Sequence, residues 1–391
     1  MLARKLEEMR QAGTLPAHLV DEEEPREPLL SSFDEAGFAS FVLGSSERDV
    51  VVLGGAGMST SAGIPDFRSP GTGLYDNLQK YDLPRPQAIF EISYFRERPQ
   101  AFYELARELW PGAYAPTPTH AFIKLLHDKG RLLRCFTQNI DSLESAAGLP
   151  ADRCVAAHGN FDSATCIETG EKVPIEEVKQ AILTDGWREL RDKYGGLVKP
   201  DIVFFGEGLP RRFFELAAHD LAKARVLIVV GTSLSVQPFA SLVNHVGDDC
   251  VRALVNRDAV GLRDRRIPAP IAKQLGLGGG FEFRDPRNYR DVALLGNCDD
   301  VVASLARALG WAADLAALVA AYPAPRLDRQ PSAVTVLAGV AADPDLDLND
   351  DDDDDDDDEG VAPAPPSDHP MVEHDDATSL TLPPPDATTT A

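Results

Sequence analysis

Cysteine is scarce in this chain of 391 residues. There are five, at positions 135, 154, 166, 250 and 298, and no Cys-x-x-Cys pair. An odd, scattered set excludes a disulfide framework and points to a reducing compartment. Long apolar runs are missing too, and none approaches the ~20 residues of a membrane-spanning helix, so no membrane partner is expected. The N-terminus starts basic at Arg4 and Lys5 but has no apolar core and carries Glu7 and Glu8, unlike a secretory signal or transit peptide. The cytoplasm is the expected compartment, with the nucleus open; Arg263-Asp-Arg-Arg266 is too short to argue for nuclear import. Basic charge is in deficit, with 38 Lys and Arg against 63 Asp and Glu and a net charge of −25. Much of this is local: 18 acidic residues and no basic one lie from Asp343 onward, which leaves the first 342 residues at −7. Nothing in that balance makes a nucleic-acid-binding surface, so no direct nucleic-acid partner is expected.

What is present is an alternation of short apolar runs with helical stretches. Residues 1–32 are polar and read as a loose leader; order is expected from Phe33, where apolar spacing suits an amphipathic helix. Strand-like runs follow at 49–53, 132–137, 153–157, 225–230, 251–255 and 292–295, most of them apolar without alternation, as strands covered on both faces are. Helical patterns at 100–109 and 119–129 separate some of them. The implied class is α/β, a doubly wound, Rossmann-like parallel sheet. Residues 160–198 break the rhythm, polar and without a clear strand, and read as a smaller inserted module within a catalytic domain spanning 33–322. Residues 323–391 read as a linker and a disordered tail: nine consecutive aspartates at 350–358, then Pro- and Thr-rich sequence, bury too little to fold. A solvated tail and a dock for a basic partner both fit that charge.

The chemistry gathers where strand runs end: Gly55-Ala-Gly57, Gln138-Asn-Ile-Asp141, His158-Gly159, Gly231-Thr-Ser233, Asn256-Arg-Asp258 and Gly296-Asn-Cys298. Open α/β sheets bind ligands at the carboxyl ends of their strands, so this pattern predicts a nucleotide site. Gly55-Ala-Gly57-Met-Ser-Thr60 suits a dinucleotide phosphate loop, although Thr60 stands where a third glycine is usual and a purely structural turn also fits. His158 after a strand fits either a packed histidine or a general base that titrates near neutral pH.

The phosphate loop continues as Ser-Ala-Gly-Ile-Pro-Asp66-Phe67-Arg68-Ser, and here the chain resembles the sirtuins. The Ala62-Gly63 pair is similar to the branch that includes the cytosolic tubulin deacetylase. The resemblance runs on through Gly73-Leu-Tyr-Asp-Asn77, Ala88-Ile-Phe-Glu-Ile-Ser-Tyr-Phe95, Thr137–Asp141, Ala157-His-Gly159, 199–207, Gly231-Thr-Ser233, Gln237-Pro-Phe-Ala240 and Asp291-Val-Ala-x-Leu-Gly296. It covers about Phe33 to Trp311 in unbroken order.

That resemblance implies an NAD-dependent lysine deacylase acting on acetylated proteins of histone or cytoskeletal class, with NAD consumed and O-acetyl-ADP-ribose and nicotinamide released. It implies that Ala56, Gly57, Met58, Ser59 and Thr60 cradle the diphosphate, and that Asp66, Phe67 and Arg68 form a loop over the reactive sugar. Gln138 and Asn139 would hold the nicotinamide ribose, while Ile140 and Asp141 grip the carboxamide. Thr232, Ser233, Asn256, Arg257, Asp258 and Cys298 would line the adenosine end. His158, with Asn139 and Asp141, would carry catalysis, the imidazole taking a proton from a ribose hydroxyl. Val203, Phe204 and Phe205 would pair with a substrate backbone by strand addition. Tyr103-Glu-Leu-Ala106, the nearest match to an acidic-acyl motif, lacks its arginine, so a neutral acyl group is expected.

One departure stands out. Sirtuins commonly hold a structural zinc with four cysteines; here Cys166 alone is retained, the other positions falling on Glu171, Arg191 and Tyr194. Structural zinc takes sulfur or imidazole, and arginine stays protonated, so no zinc is expected. A module without it leaves a non-catalytic NAD or acyl-lysine reader open, and protein ADP-ribosyl transfer stays open as a rival within the same chemistry. The incomplete Gly-x-Gly-x-x-Gly pattern fits a dehydrogenase poorly.

Overall fold

The computed structural model describes residues 26–64, 78, 81–112, 114–263 and 280–322. The chain divides into a unit that runs to Gly339 and a second from Val340 to Ala391; every described residue lies in the first. Residues 1–25, the Asp66–Phe67–Arg68 loop, the 73–77 motif and the acidic tail lie outside the described residues.

Six of the strands form one parallel sheet: β1 (Val50–Gly54), β2 (Leu132–Thr137), β3 (Cys154–Ala156), β7 (Val226–Val230), β8 (Val251–Asn256) and β9 (Asp291–Leu295). Their order is β3-β2-β1-β7-β8-β9, every pair parallel. The order reverses between β1 and β7, which makes a crevice at the carboxyl ends of those two strands. The unalternating runs have a physical cause. Val50 and Val52 of β1 face one core with Val226, Ile228 and Val230, whereas Val51 and Leu53 face a second core with Leu227 and Val229. Both faces are covered, so both sets of side chains are apolar.

Helices α1 (Glu35–Gly44), α4 (Pro118–Asp128), α9 (Cys298–Ala308) and α10 (Ala312–Ala321) carry residues of the first core, and α8 (Arg211–Leu221) residues of the second. Order begins earlier than the composition of 1–32 suggested: Leu30 is buried in the first core, and the Leu29 amide donates to the Tyr289 carbonyl at 2.7 Å. A polar average hid one well-placed leucine pair.

The smaller lobe is also larger than a 160–198 insertion. It joins α2 (Ile92–Glu97) and α3 (Pro99–Leu109) to a three-stranded antiparallel sheet, β5-β4-β6, from β4 (Gly159–Cys166), β5 (Lys172–Val173) and β6 (Val198–Ile202). Helices α6 (Ile175–Leu183) and α7 (Trp187–Tyr194) complete it. Its core packs Phe95 edge to face on Phe102, Tyr103 and Phe204, and Phe102 on Phe204, with ring centroids 4.8–5.6 Å apart. Two stretches distant in sequence therefore share one hydrophobic core. The short helix α5 (Leu143–Ala146) follows β2.

Candidate active site

The turn after β1 can be tight because its glycines meet another backbone. A Cβ on Gly57 would lie 2.8 Å from Cα of Gly231, and one on Gly231, at φ +61°, would lie 2.4 Å from the Met58 nitrogen. The Gly57 amide donates to the Gly231 carbonyl at 2.7 Å, which locks the ends of β1 and β7 together. The Met58 and Ser59 amides also close local turns, onto Gly55 and Ala56 carbonyls. Among the described residues the amides of Ala56 and Thr60 have no backbone partner, and both residues line a cavity of about 660 Å³ at the strand tips. Met58 and Ser59 are buried; their side chains brace the loop from beneath and do not line the cavity.

Gln138, Asn139, Ile140 and His158 line the same cavity. The Gln138 side chain donates to Thr232 Oγ1 at 2.8 Å, across the β1–β7 reversal. The Asn139 amide donates to the Gly55 carbonyl and to Ser59 Oγ, both at 3.2 Å, and Ser59 Oγ donates to Asp141 Oδ2 at 2.6 Å. Asp141 accepts the Leu143 amide through Oδ1 at 3.0 Å and faces this network; it does not line the cavity as described.

His158 Nδ1 sits 3.1 Å from the Gln138 carbonyl. A carbonyl only accepts, so Nδ1 carries the proton and Nε2 keeps its lone pair. Burial lowers the imidazole pKa below 6.5, with the Gln138 carbonyl opposing. The ring is therefore neutral at pH 7, as a base must be. Gly159 makes this position possible: at φ +67°, any Cβ there would stand 1.8 Å from the Asp201 carbonyl oxygen.

Val203, Phe204 and Phe205 line the cavity, but much of their backbone is engaged within the chain. The Val203 amide donates to the His158 carbonyl at 2.8 Å, and Phe205 pairs both ways, with the Phe90 carbonyl and the Ile92 amide. The Phe204 ring is buried in the small-lobe core. Gly206 is left with no hydrogen-bonded backbone among the described residues, and Phe205 with a side chain 46% exposed. Tyr103 lies away from the cavity; its hydroxyl donates to the Val198 carbonyl at 2.6 Å.

At the other end, Thr232, Ser233, Asn256, Arg257, Asp258 and Cys298 all line the cavity. Burial pushes the Cys298 thiol up to about 11, so it is a neutral wall. Asn297 caps α9 by accepting the Asp299 amide, which turns that helix N-terminus toward the cavity. Asn297 and Glu207, which stand in the Gly296-Asn-Cys298 and 199–207 motifs without a role assigned from sequence, also line the site, as do Val236 and Leu209. The apolar pair carries no local signal.

The four positions of a family zinc site do not offer a ligand set. Cys166 is buried with its thiol 3.5 Å from the Tyr194 carbonyl, and the Tyr194 hydroxyl donates to Glu177 at 2.8 Å. Glu171 contributes its carbonyl, to the Cys166 amide. Among the described residues no cluster of three His, Cys, Asp or Glu ligands includes Cys166.

Comparison with known proteins agrees with this geometry. Residues 55–238 match the model of the Sir2 family. The NAD-dependent protein deacetylase sirtuin-2 of Danio rerio is 46% identical over 297 residues, 75% of this chain and 77% of the relative. The NAD-dependent protein deacetylase hst2-1 of Emericella nidulans is 48% identical, over 78% of this chain and 77% of its own length. The NAD-dependent protein deacetylase sirtuin-3 of Mus musculus is 48% identical, over 68% of this chain and 73% of its own. A parallel sheet of Rossmann order, a crevice at its reversal and identities of this extent place the chain in one family: it belongs to the Sir2 family, the sirtuins.

Proposed function

We infer that this protein is an enzyme, an NAD-dependent protein deacetylase, and that His158 is its general base. The observation that carries the reading is the neutral imidazole in the cavity wall, its Nδ1 tied to the Gln138 carbonyl and its Nε2 left free. Bound NAD supplies an electrophilic sugar carbon whose nicotinamide leaves. The chain's residues do the rest. The Ala56 and Thr60 amides receive phosphate oxygens at a backbone crossing too tight for side chains. Asn139, oriented by Gly55 and Ser59, holds the ribose, and His158 Nε2 takes the proton of a ribose hydroxyl. Asp141 accepts from the carboxamide end. The substrate backbone lies along Gly206, beside the exposed Phe205 ring, and a neutral acyl chain enters over apolar Ile140, Ile202 and Phe205.

The substrates are acetylated proteins, of histone or cytoskeletal class, met in the cytoplasm or nucleus. The small lobe stands without zinc: Trp187 stacks on Tyr103 at 5.3 Å, and Val173, Val178, Ile182 and Leu190 are buried beside it. The test is incubation with NAD and an acetyl-lysine peptide, following nicotinamide and peptide mass. Loss of one acetyl group with stoichiometric nicotinamide supports deacetylation. Gain of ADP-ribose on protein, or binding of NAD without turnover, refutes it in favour of a transferase or a reader.

A further inference from the structure

Behind Asp141 lie two buried side chains, His120 and Glu144, that the mechanism above does not use. One ring nitrogen of His120 and one carboxylate oxygen each of Asp141 and Glu144 lie within 4.8 Å of one another. His120 and Glu144 are buried, and His120 Nε2 and Glu144 Oε1 have no hydrogen-bond partner among the described residues. Two unpartnered buried polar atoms aimed at one carboxylate call for an occupant, since each costs on the order of a kcal/mol or more left bare.

The chemistry of the donors decides what it is. The Thr117 amide donates to His120 Nδ1 at 3.2 Å in a capping box at the start of α4, and Thr117 Oγ1 lies 2.8 Å from the same nitrogen and 2.9 Å from the Met58 carbonyl. With the amide as donor to the ring, Nδ1 is the bare nitrogen and the ring proton is on Nε2. A ring held in that form is a donor and cannot ligate a metal through Nε2. Three polar atoms at this spacing surround a space suited to one water, about 2.8 Å from each. Burial lowers the His120 pKa, and burial with the Asp141 charge next pushes the Glu144 carboxyl up to about 8, so both are neutral at pH 7. Two donors and one acceptor then meet.

We propose that His120 and Glu144 are positioning residues for Asp141, holding its carboxylate through one shared buried water so that it stays fixed beneath the nicotinamide end of the site. Ser59 ties Asp141 to Asn139 in the cavity wall, so His120 and Glu144 act on substrate only through Asp141 and these groups. The inference rests on the reading of Asp141 as the carboxamide acceptor. It adds that the acceptor's geometry is set from helix α4 and from Glu144 of α5. The charged groups facing the pair are Asp141, Asp162 of β4 and Asp299 of α9.

The experiment measures ADP-ribose affinity, nicotinamide inhibition and kcat for wild type, His120→Phe, Glu144→Leu and Glu144→Gln. ADP-ribose lacks the nicotinamide, so its binding reports the rest of the site. The expected result is nicotinamide inhibition weakened roughly 10- to 100-fold in His120→Phe and Glu144→Leu, with ADP-ribose affinity kept, because a small displacement of an orienting group costs that much. Glu144→Gln, which keeps a donor and cannot ionise, recovers most of the loss. In wild type, inhibition weakens as pH rises through about 8, where Glu144 loses its proton beside Asp141; Glu144→Gln lacks that limb. Parallel loss of ADP-ribose and nicotinamide binding, an unchanged inhibition constant in Glu144→Leu, or a bound metal by elemental analysis overturns the proposal. The network is also read without turnover: long-range proton–nitrogen-15 spectra should show His120 protonated at Nε2, and protonation at Nδ1 overturns it. Wild type that binds no ADP-ribose refutes the deacetylase reading, while the spectra still decide the network.

Discussion

Trp187→Ala tests whether packing alone holds the small lobe. The indole is 7% exposed, lies nearly parallel to Tyr103 (interplanar angle 25°) and carries the Arg188 guanidinium 4.3 Å above its ring. Removing a buried tryptophan costs about 3–5 kcal/mol. Its buried Nε1–H has no partner among the described residues, so deletion also removes an unsatisfied donor and the loss should fall toward 3 kcal/mol. For a domain of this size that is a melting temperature lowered by about 6–12 °C. Trp187→Phe keeps the stack, removes the bare donor and should cost under about 1.5 kcal/mol. The assay is thermal and urea unfolding of both variants and wild type, each with and without a strong zinc chelator. The expected outcome is a large shift for alanine, a small one for phenylalanine and none from the chelator. A chelator that lowers the wild-type transition, or one tightly held zinc per chain, refutes the reasoning; so does an alanine variant that melts with wild type.

Four further outcomes follow from the geometry. His158→Ala should lose about 10²- to 10⁴-fold in turnover while losing only the stability of one hydrogen bond, about 1 kcal/mol; because burial lowers its pKa, the acidic limb of wild-type kcat/KM should lie below pH 6.5, activity falling as pH drops through the folded-state value, and a limb that persists in the variant rules His158 out. Gly231→Ala puts a Cβ at φ +61° and 2.4 Å from the Met58 nitrogen, so ADP-ribose binding, followed by calorimetry, should be abolished before the fold is. Glu144→Gln should be more stable than wild type near pH 8, with the gap closing toward pH 4.5: burial raises the folded-state pKa from 4.5 to about 8, the folded state holds a proton the unfolded chain has released, and wild-type stability therefore falls across that window. Lys199→Met keeps the stem but removes the ammonium that lies 3.0 Å from Glu207 and 2.6 Å from the Ile202 carbonyl; peptide KM should rise with ADP-ribose affinity unchanged, and an unchanged KM would separate this lysine from the substrate edge.

The six sheet strands were legible because the central ones are buried on both faces and most are bounded by small or polar residues, and the pattern of such a run is unmistakable once several recur. Boundaries moved by a residue or two, since the last ladder bond is set by a partner strand that the run itself does not show. The small lobe was not legible in extent. Phe95 and Phe102 read as ordinary apolar positions of helical segments; that they pack on Phe204, about a hundred residues on, is a tertiary fact. The same holds for Lys172-Val173, a strand too short to announce itself and made one by pairing with Thr165 and Ala164.

At the site the asymmetry is sharper. Glycines that permit a backbone crossing and a histidine at a strand tip leave local marks, because only certain residue types fit. The groups that aim them do not. Ser59 reads as a phosphate-loop hydroxyl, yet its side chain points at Asp141 and is buried; Asp141 reads as a ligand-facing acid, yet it also closes the turn into α5. A polar residue's type tells what it can donate or accept, and which of several acceptors receives it depends on chain segments far apart in sequence. Substrate identity is hidden for the same reason in stronger form. In the stretch from Val203 to Gly206, Val203 is tied to His158, Phe205 to Phe90 and Ile92, and the Phe204 amide to Glu207 at 2.8 Å, which leaves Gly206 as the unbonded backbone among the described residues. On the proposed reading a peptide pairs along Gly206 through N–H and C=O groups that every peptide shares, so this edge would carry no code of side chains that names the substrate.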